Sequence, residues 1–165
     1  MTVAGAPKEK PKGLDSPWVP RLLKYASATH VRIYRWTNGR LLGTWRIGSA
    51  FRRGVPVCLF THTGRRSGRL LTTPLLFLPD GERLVVVASQ GGLPRNPQWY
   101  LNVRANPEVT VQVRGEVRRM RARTASPEER AELWPRLVDL YADFESYQAW
   151  TDRVIPVVIC EPVAR

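Results

Sequence analysis

The chain has 165 residues, 43% of them apolar, and 26 lysines and arginines against 14 acids give it a net charge of +12. This length suits one domain with a substantial core, and no apolar run reaches the length of a membrane span. A surface this basic attracts anions such as nucleic acid, acidic lipid headgroups or a multiply charged small molecule. The imbalance is concentrated, because residues 16–79 contain eleven basic residues and no acid.

Residues 1–17 and residues 18–165 differ in composition and predict a terminal arm and a folded domain. Residues 1–17 are rich in Pro, Gly and Lys and lack the apolar centre of a secretory signal, so they predict a disordered basic arm. Residues 18–165 show no repeat and no second boundary, which predicts a single domain. Cys58 and Cys160 lie in apolar runs, so we expect buried, unpaired thiols and a cytoplasmic protein. Together with His30 and His62 they show no spacing typical of a metal site, and no metal is expected.

The first predicted element is a basic amphipathic helix over Val19–Trp36. At about 100° per residue its arginines and lysine share one arc and its apolar residues share another. Such a helix can lie peripherally on an acidic membrane surface, here the inner face of the cell membrane, or it can cover a core with its cationic face in water. The sequence leaves both readings open.

Strands and turns follow in chain order. The run "VPVCLFTH" predicts a strand, and Leu70–Ser89 predicts a hairpin that turns at "PDGE". Asn96 then suits a helix N-cap, with Pro97 at the first helical position. A second hairpin is expected with its turn at Arg114–Glu116.

The last third of the chain predicts a helix and a strand. Ser126 and Glu129 have the spacing of a capping box, while Pro135 predicts a kink or break inside the same helix. The final strand is expected in "IPVVICEP". Tight turns join most of these strands, which favours an α+β fold with a mostly antiparallel sheet or barrel and helices packed outside it.

The stretch "THTGRRSGRLLTTP", residues 61–74, is the strongest candidate site. Gly64 and Gly68 permit a tight turn, in which backbone amides and the side chains of Arg65, Arg66 and Ser67 would converge on a phosphate or carboxylate. Neither of the common glycine-rich phosphate-loop patterns is present. A simple hairpin turn with exposed arginines explains the residues equally well.

Aromatic residues provide a second candidate feature. Tyr141, Phe144, Tyr147 and Trp150 recur every third residue, which is a helical spacing. These rings could line a pocket for a flat ligand, or they could be ordinary core, and the same two readings hold for Trp99. Because no hydrolytic constellation is visible, any chemistry would come from a cofactor.

Taken together, "THTGRRSGRLLTTPLLFL", "LVVVASQGG", "NPQWYLNVRANPEVTVQV" and "LWPRLVDLYADFESYQAWTDRVIPVVICEP" closely resemble the deazaflavin-dependent nitroreductase family of actinobacteria. The resemblance covers roughly Val55 to Pro162, and the N-terminal third shares only its basic, helical character. It implies a split β-barrel of the FMN-binding type that carries coenzyme F420, a deazaflavin, instead of FMN.

The resemblance also implies a set of site residues. Those expected to bind the coenzyme are Arg65, Arg66 and Ser67 at its phosphate; Leu71, Thr72, Thr73, Pro74, Leu75 and Leu76 along it; Val87, Ala88, Ser89 and Gln90 at its ring; and Gln98, Trp99, Tyr100, Leu101, Asn102 and Phe144 around the site. Ser89, Tyr141 and Tyr147 are the candidate catalytic residues. Phe144 departs from the best-known nitroreductase pattern, which has a tyrosine there, so reduction of bicyclic nitroimidazoles is in doubt.

The implied function is an F420H2-dependent oxidoreductase that transfers a hydride to an electrophilic acceptor such as menaquinone, an enone or a nitroaromatic. The alternatives are a non-catalytic anion-binding, nucleic-acid-binding or F420-carrier protein, and an FMN- or haem-binding relative of the barrel. Nucleic acid is not the expected partner, because the basic residues do not form a known nucleic-acid motif. The oligomeric state is left open.

Overall fold

Seven antiparallel strands build the sheet of this protein, which is described here from a computed structural model covering residues 9, 10, 16 and 19–163, residues 19–24 as backbone only. The strands are β1 (Thr44–Trp45), β2 (Val55–Thr63), β3 (Leu70–Asp80), β4 (Arg83–Val87), β5 (Glu108–Val113), β6 (Glu116–Thr124) and β7 (Val157–Pro162). Their order is β1-β2-β3-β4-β7-β6-β5, and β5 pairs back with β2. The six strands β2 to β7 therefore close into a barrel, as expected, while the arm predicted over residues 1–17 lies almost wholly outside the described residues.

Helices occupy the outside and one end of this barrel. Within the described residues they are α1 (Val19–Thr37), α2 (Gln98–Ala105), α3 (Pro127–Leu140) and α4 (Asp143–Ala149). Two short 3₁₀ turns lie at Gly48–Ala50 and Gln90–Gly92. The helix predicted over Val19–Trp36 is confirmed, as are both hairpins. None of the helices that the structure describes is long and apolar enough to cross a membrane.

The barrel interior is filled by alternate residues of all six strands, because successive side chains of a strand point to opposite faces. Cys58 and Phe60 of β2 pack there with Met120 of β6 and Cys160 of β7. Trp99 of α2 closes this cluster, its ring centroid 5.3 Å from that of Phe60 in an edge-to-face contact. Both cysteines are buried and unpaired, as predicted, and burial raises the pKa of the Cys160 thiol to about 12.

Two clusters cover the outer faces of the barrel. Helices α3 and α4 pack over β4 and β7 through residues such as Leu137 and Ile159. The C-terminal part of α1 packs over β2 and β3, where the buried Tyr34 donates its hydroxyl to the carbonyl oxygen of Val57 at 3.0 Å and accepts the amide of Arg114 at 2.7 Å. This end of α1 therefore docks on the barrel.

Local sequence rules succeed in α3 at one position and fail at another. The capping box of Ser126 and Glu129 is confirmed, with each side chain bonded to the other's backbone amide. Of the kink or break predicted at Pro135, the break is wrong, because α3 continues through this residue to Leu140. Leu133 and Leu137 are buried on either side of the proline, so packing against the barrel holds both halves in one helix.

The start of α2 also differs from the prediction. Pro97 is the N-cap, and the first helical residue is Gln98. The Asn96 side chain does not cap the helix but accepts a hydrogen bond from Arg153 at 2.9 Å. The side chain that the local pattern assigned to the helix cap is therefore bonded to an arginine from a distant part of the chain.

Candidate active site

The loop of residues 64–69 between β2 and β3 is a turn that closes on itself. The amide of Gly64 donates to the carbonyl of Arg69, and the amide of Gly68 donates to the carbonyl of Gly64, both at 2.8 Å. Gly68 has a φ of +66°, and nothing lies within 4 Å of where its Cβ would be. Ser67 accepts the amide of Arg69 at 3.3 Å. Hydrogen bonds within the loop thus fix its shape without help from a ligand.

The arginines of this turn have different surroundings. The Nη1 of Arg65 donates to the side-chain oxygens of Gln98 and Asn102 at 2.9 and 3.0 Å, so its guanidinium is held by α2. Arg66 and Arg69 are exposed and form no ion pair within the described part of the chain. The structure therefore leaves these two guanidinium groups available to an anion.

His62 lies directly behind the turn, and sequence reasoning did not include it in the site. It is buried, with its Nδ1 3.2 Å from the Asn102 amide nitrogen and its Nε2 3.5 Å from the Thr73 hydroxyl. Burial lowers its pKa to about 4, so the ring is neutral at pH 7. The one signal in the sequence was alternation, since His62 shares the inward face of β2 with Cys58 and Phe60.

The residues predicted on α2 face two different surroundings. Gln98 and Asn102 are four residues apart, which puts them on one helix face, and both contact the turn. Trp99 and Tyr100 face the barrel interior instead, and Leu101 packs against the same cluster. The core reading of Trp99 is the one that the structure shows.

Strand β3 presents the other expected contacts along its first half. Leu71 is exposed, whereas Leu75 packs toward the barrel interior and Leu76 packs under α1. The Thr72 hydroxyl is bonded to that of Thr61 at 2.8 Å and accepts Nη2 of Arg35 at 3.0 Å. Arg35 of α1 thus lies beside this strand, a contact that the sequence did not predict.

The segment after β4 contains the residues expected at a flat ring. Gln90, Gly91 and Gly92 all have positive φ, and for Gln90 this is a strained conformation. Arg153 holds the segment through four hydrogen bonds of 2.7–3.2 Å to the carbonyls of residues 88, 89 and 93 and to Asn96. Sequence reasoning missed Arg153 because its partners lie about sixty residues away.

The predicted aromatic stripe forms one cluster around α4. The hydroxyls of Tyr141 and Tyr147 are 3.2 Å apart, and Tyr147 contacts the ring of Trp150 at 5.5 Å between centroids. Tyr141 and Phe144 are buried against the outer face of the barrel, and burial raises the pKa of Tyr141. A Cβ on Gly92 would lie 2.7 Å from the carbonyl oxygen of Tyr147, so the ring segment packs closely on this cluster.

The described residues contain no group of His, Cys, Asp and Glu that could hold a metal ion. They do offer the two exposed guanidinium groups of Arg66 and Arg69 on the turn of residues 64–69. The partly exposed first half of β3 lies beside this turn, and the segment held by Arg153 follows the end of β4. These features suit a long ligand with a phosphate at one position and a flat ring at another. The residues therefore fit a phosphate-bearing flavin or deazaflavin.

The closed antiparallel barrel, with helices packed outside it, places this protein among the split β-barrels. The sequence model described as F420H(2)-dependent quinone reductase matches residues 26–162, and the chain belongs to that family. This membership confirms the resemblance found in the sequence, the oxidoreductase class and F420 as the coenzyme.

Known proteins of this kind cover most of the chain. The Mycobacterium tuberculosis protein Rv3178 is 49% identical over 71% of this chain and 98% of its own length. The protein named F420H(2)-dependent quinone reductase Rv1261c, from the same organism, is 37% identical over 79% of this chain and 85% of its own length. A solved structure described as an F420-H2 dependent reductase, FDR-A, superposes with a TM-score of 0.61 at 43% identity, over 64% of this chain and 94% of that one.

Proposed function

We propose that this protein transfers a hydride from reduced F420 to a quinone, and that the turn of residues 64–69 binds the phosphate of the coenzyme. The observation that carries the proposal is the pair of exposed guanidinium groups, Arg66 and Arg69, on a preformed turn in a chain of this family. The name of Rv1261c supports a quinone as the acceptor.

The expected contacts fall in two regions, one beside α2 and one beside α4. Near the phosphate, the turn lies against Gln98 and Asn102, and the first half of β3 begins at the same place. Near the ring, the residues from Val87 to Gln90 lie beside the aromatic cluster of α4. The exposed Leu71 would contact the coenzyme between these regions.

When bound, reduced F420 supplies the hydride from C5 of its deazaflavin ring. The protein has to hold the ring and acceptor together, exclude water and provide any proton that the product needs. Val87 and Ala88 are buried at the end of β4 and give a dry edge. Ser89 and Tyr147 are half-buried residues, and their hydroxyls are the proposed donors there, with Tyr141 orienting Tyr147 through its hydroxyl.

Phe144 bears on the choice of acceptor. It is buried and packs edge-to-face on Tyr141 at 5.1 Å between centroids. A phenyl ring supplies no hydrogen bond, so this position would add apolar surface and no donor for a nitro group. We therefore propose quinone and enone reduction ahead of nitroimidazole reduction.

The function is tested by anaerobic turnover of reduced F420 against menaquinone, an enone and a nitroimidazole. We expect quinone turnover to be fastest, and inertness toward all three would leave only a carrier role.

Arg66→Ala, alone or with Arg65→Ala, should weaken coenzyme affinity far more than it slows the hydride transfer measured in single turnovers. Arg121→Ala is the charge control, because Arg121 is exposed on β6 and has no described ion pair. Titration with duplex DNA tests the nucleic-acid alternative, which requires tight binding at physiological salt.

A menaquinone acceptor would also require access to a membrane, and we propose that residues 25–53 provide it. Trp36 is 84% exposed and Phe51 is 75% exposed, in a part of the chain that carries only basic charges. Aromatic residues among cations suit the interface of an acidic bilayer. The protein should co-sediment with phosphatidylglycerol vesicles and not with phosphatidylcholine vesicles. The double substitution Trp36→Ala and Phe51→Ala should abolish the co-sedimentation with phosphatidylglycerol vesicles. Binding that survives both substitutions would contradict this proposal.

A further inference from the structure

A buried chain of hydrogen bonds connects the barrel interior to the proposed phosphate turn. Asn102 is 4% exposed and His62 is 3% exposed. The Oδ1 of Asn102 accepts both the backbone amide and the Nη1 of Arg65, at 3.1 and 3.0 Å. On its other side, the Nδ2 of Asn102 lies 3.2 Å from Nδ1 of His62. One amide side chain thus connects α2, β2 and the turn.

The direction of each bond follows from the donors. Because the two Arg65 groups can only donate, the oxygen of Asn102 must face them, and its amide nitrogen must face His62. That nitrogen is also a donor, so Nδ1 of His62 accepts, and the histidine proton lies on Nε2 toward the hydroxyl of Thr73. Neutral His62 therefore fixes the orientation of Asn102, and Asn102 fixes Arg65.

This assignment changes the role expected for Arg65. Its backbone amide and one guanidinium nitrogen are bonded to Asn102, and the same nitrogen also bonds Gln98. Its neighbours Arg66 and Arg69 have no comparable partner in the described chain and are exposed. Arg65 is placed to hold the turn against α2, whereas the other two arginines are placed to meet a ligand.

We infer that Asn102 and His62 are positioning residues for the anion-binding turn, acting through Arg65, and that Arg66 and Arg69 are the cations that contact the phosphate of the coenzyme. The inference rests on the proposed function. A turn held in place before binding loses less conformational freedom when the ligand arrives, so the network would increase affinity for the phosphate without touching it.

Equilibrium affinity for two ligands tests the inference. One is oxidised F420, and the other is its deazaflavin nucleoside, which has the ring but lacks the phosphate and tail. Asn102→Ala should raise the Kd for F420 by about tenfold or more while changing the Kd for the nucleoside by less than about twofold. Arg66→Ala should show the same selectivity, because both changes act on the phosphate.

A matched pair at His62 separates positioning from general loss of structure. His62→Asn keeps an acceptor near the place of Nδ1, whereas His62→Leu removes it and leaves the Asn102 amide unpaired. We expect near-normal F420 affinity in the first variant and a selective loss in the second. This comparison stands by itself if Asn102→Ala does not fold. Arg104→Ala, an exposed change on α2, is the control and should alter neither affinity.

Three outcomes would overturn the inference. Equal loss of affinity for both ligands would mean that the network maintains the whole site, and unchanged F420 affinity in Asn102→Ala and His62→Leu would mean that the turn needs no support. Arg65→Ala reducing affinity much more than Arg66→Ala would make Arg65 the direct ligand. Failure of the unaltered protein to bind F420 is a different result, because it would refute the proposed function itself.

Discussion

His62 shows how burial of one side chain couples the site to pH. Its pKa in the folded protein is about 4, below the ordinary value of 6.5, because burial disfavours the charged ring. Between these two values the unfolded chain binds a proton that the folded protein does not. Stability is therefore unaffected by His62 above about pH 6.5 and falls as the pH drops toward 4.

The free energy of unfolding, measured with urea from pH 7 to pH 4, should reveal this contribution. We expect the protein to lose on the order of 3 kcal/mol through His62 across this range. The His62→Asn variant has no group at this position that titrates in this range, so its free energy of unfolding should fall less by that amount. Parallel pH profiles for the two proteins would show that the folded pKa of His62 is not lowered.

Gly48 limits substitution through both its backbone and its surroundings. Its φ is +66°, and an added Cβ would lie 2.2 Å from a carboxylate oxygen of Asp143. That carboxylate accepts the amide of Ser49 at 3.0 Å, and the Ser49 hydroxyl accepts the amide of Asp143 at 3.1 Å. The turn of residues 48–50 is thereby locked onto the start of α4.

Gly48→Ala should lower the free energy of unfolding by about 2–4 kcal/mol, since it adds a clash and disturbs the Ser49–Asp143 pair. Gly81→Ala is the matched control, because Gly81 has a φ of +62° and nothing within 4 Å of its missing Cβ. The control should cost only about 1 kcal/mol from backbone strain. If urea unfolding shows equal losses of unfolding free energy for both variants, the clash of the added Cβ with Asp143 does not contribute.

At the scale of elements, the segment from residue 88 to residue 96 depends on Arg153. It has no helix or strand of its own apart from one strained 3₁₀ turn, and the arginine supplies four of its hydrogen bonds. The guanidinium of Arg153 is partly removed from water, and this burial lowers its pKa. The geometry of the proposed ring site is thus set by a residue about sixty positions further along the chain.

Arg153→Lys keeps the charge but loses the planar fork that reaches several acceptors at once. Amide hydrogen exchange in residues 88–96 should accelerate, by about tenfold or more, while exchange in β2 stays unchanged. The KM for the acceptor should rise because Ser89 is no longer held. Arg121→Ala is again the control, and unaltered exchange in Arg153→Lys would show that the segment holds itself.

The limits of sequence reasoning follow from the range of each interaction. The helix over Val19–Trp36, the hairpins and the capping box at Ser126 were predictable because their determinants lie within a few residues. The break at Pro135 was wrongly predicted because packing on the barrel outweighs a local defect. His62 and Arg153 were missed because the contacts that define their roles, to Asn102 and to residues 88–96, span forty or more residues. The alternation along β2 marks His62 only as inward-facing. The placement of the coenzyme remains a prediction.

For the molecule as a whole, closure of the barrel depends on its shortest seam. Strand β2 pairs with β3 over seven residue pairs, from Val57↔Leu76 to Thr63↔Leu70. It pairs with β5 over only three, from Leu59↔Gln112 to Thr61↔Thr110. Among the seams that join β2 to β7 into the barrel, the β2–β5 seam has the fewest residue pairs, so the barrel should open there first.

Native-state hydrogen exchange tests this order of opening. Amides bonded across β2–β5 should exchange through a partial opening of lower free energy than those across β2–β3, because three residue pairs separate at the first seam and seven at the second. Oxidised F420 should slow exchange in the proposed binding turn and leave the difference between seams intact, since no proposed contact crosses the β2–β5 seam. If both seams open at the same free energy, the barrel unfolds as one cooperative unit, and the short β2–β5 pairing does not lower its local stability.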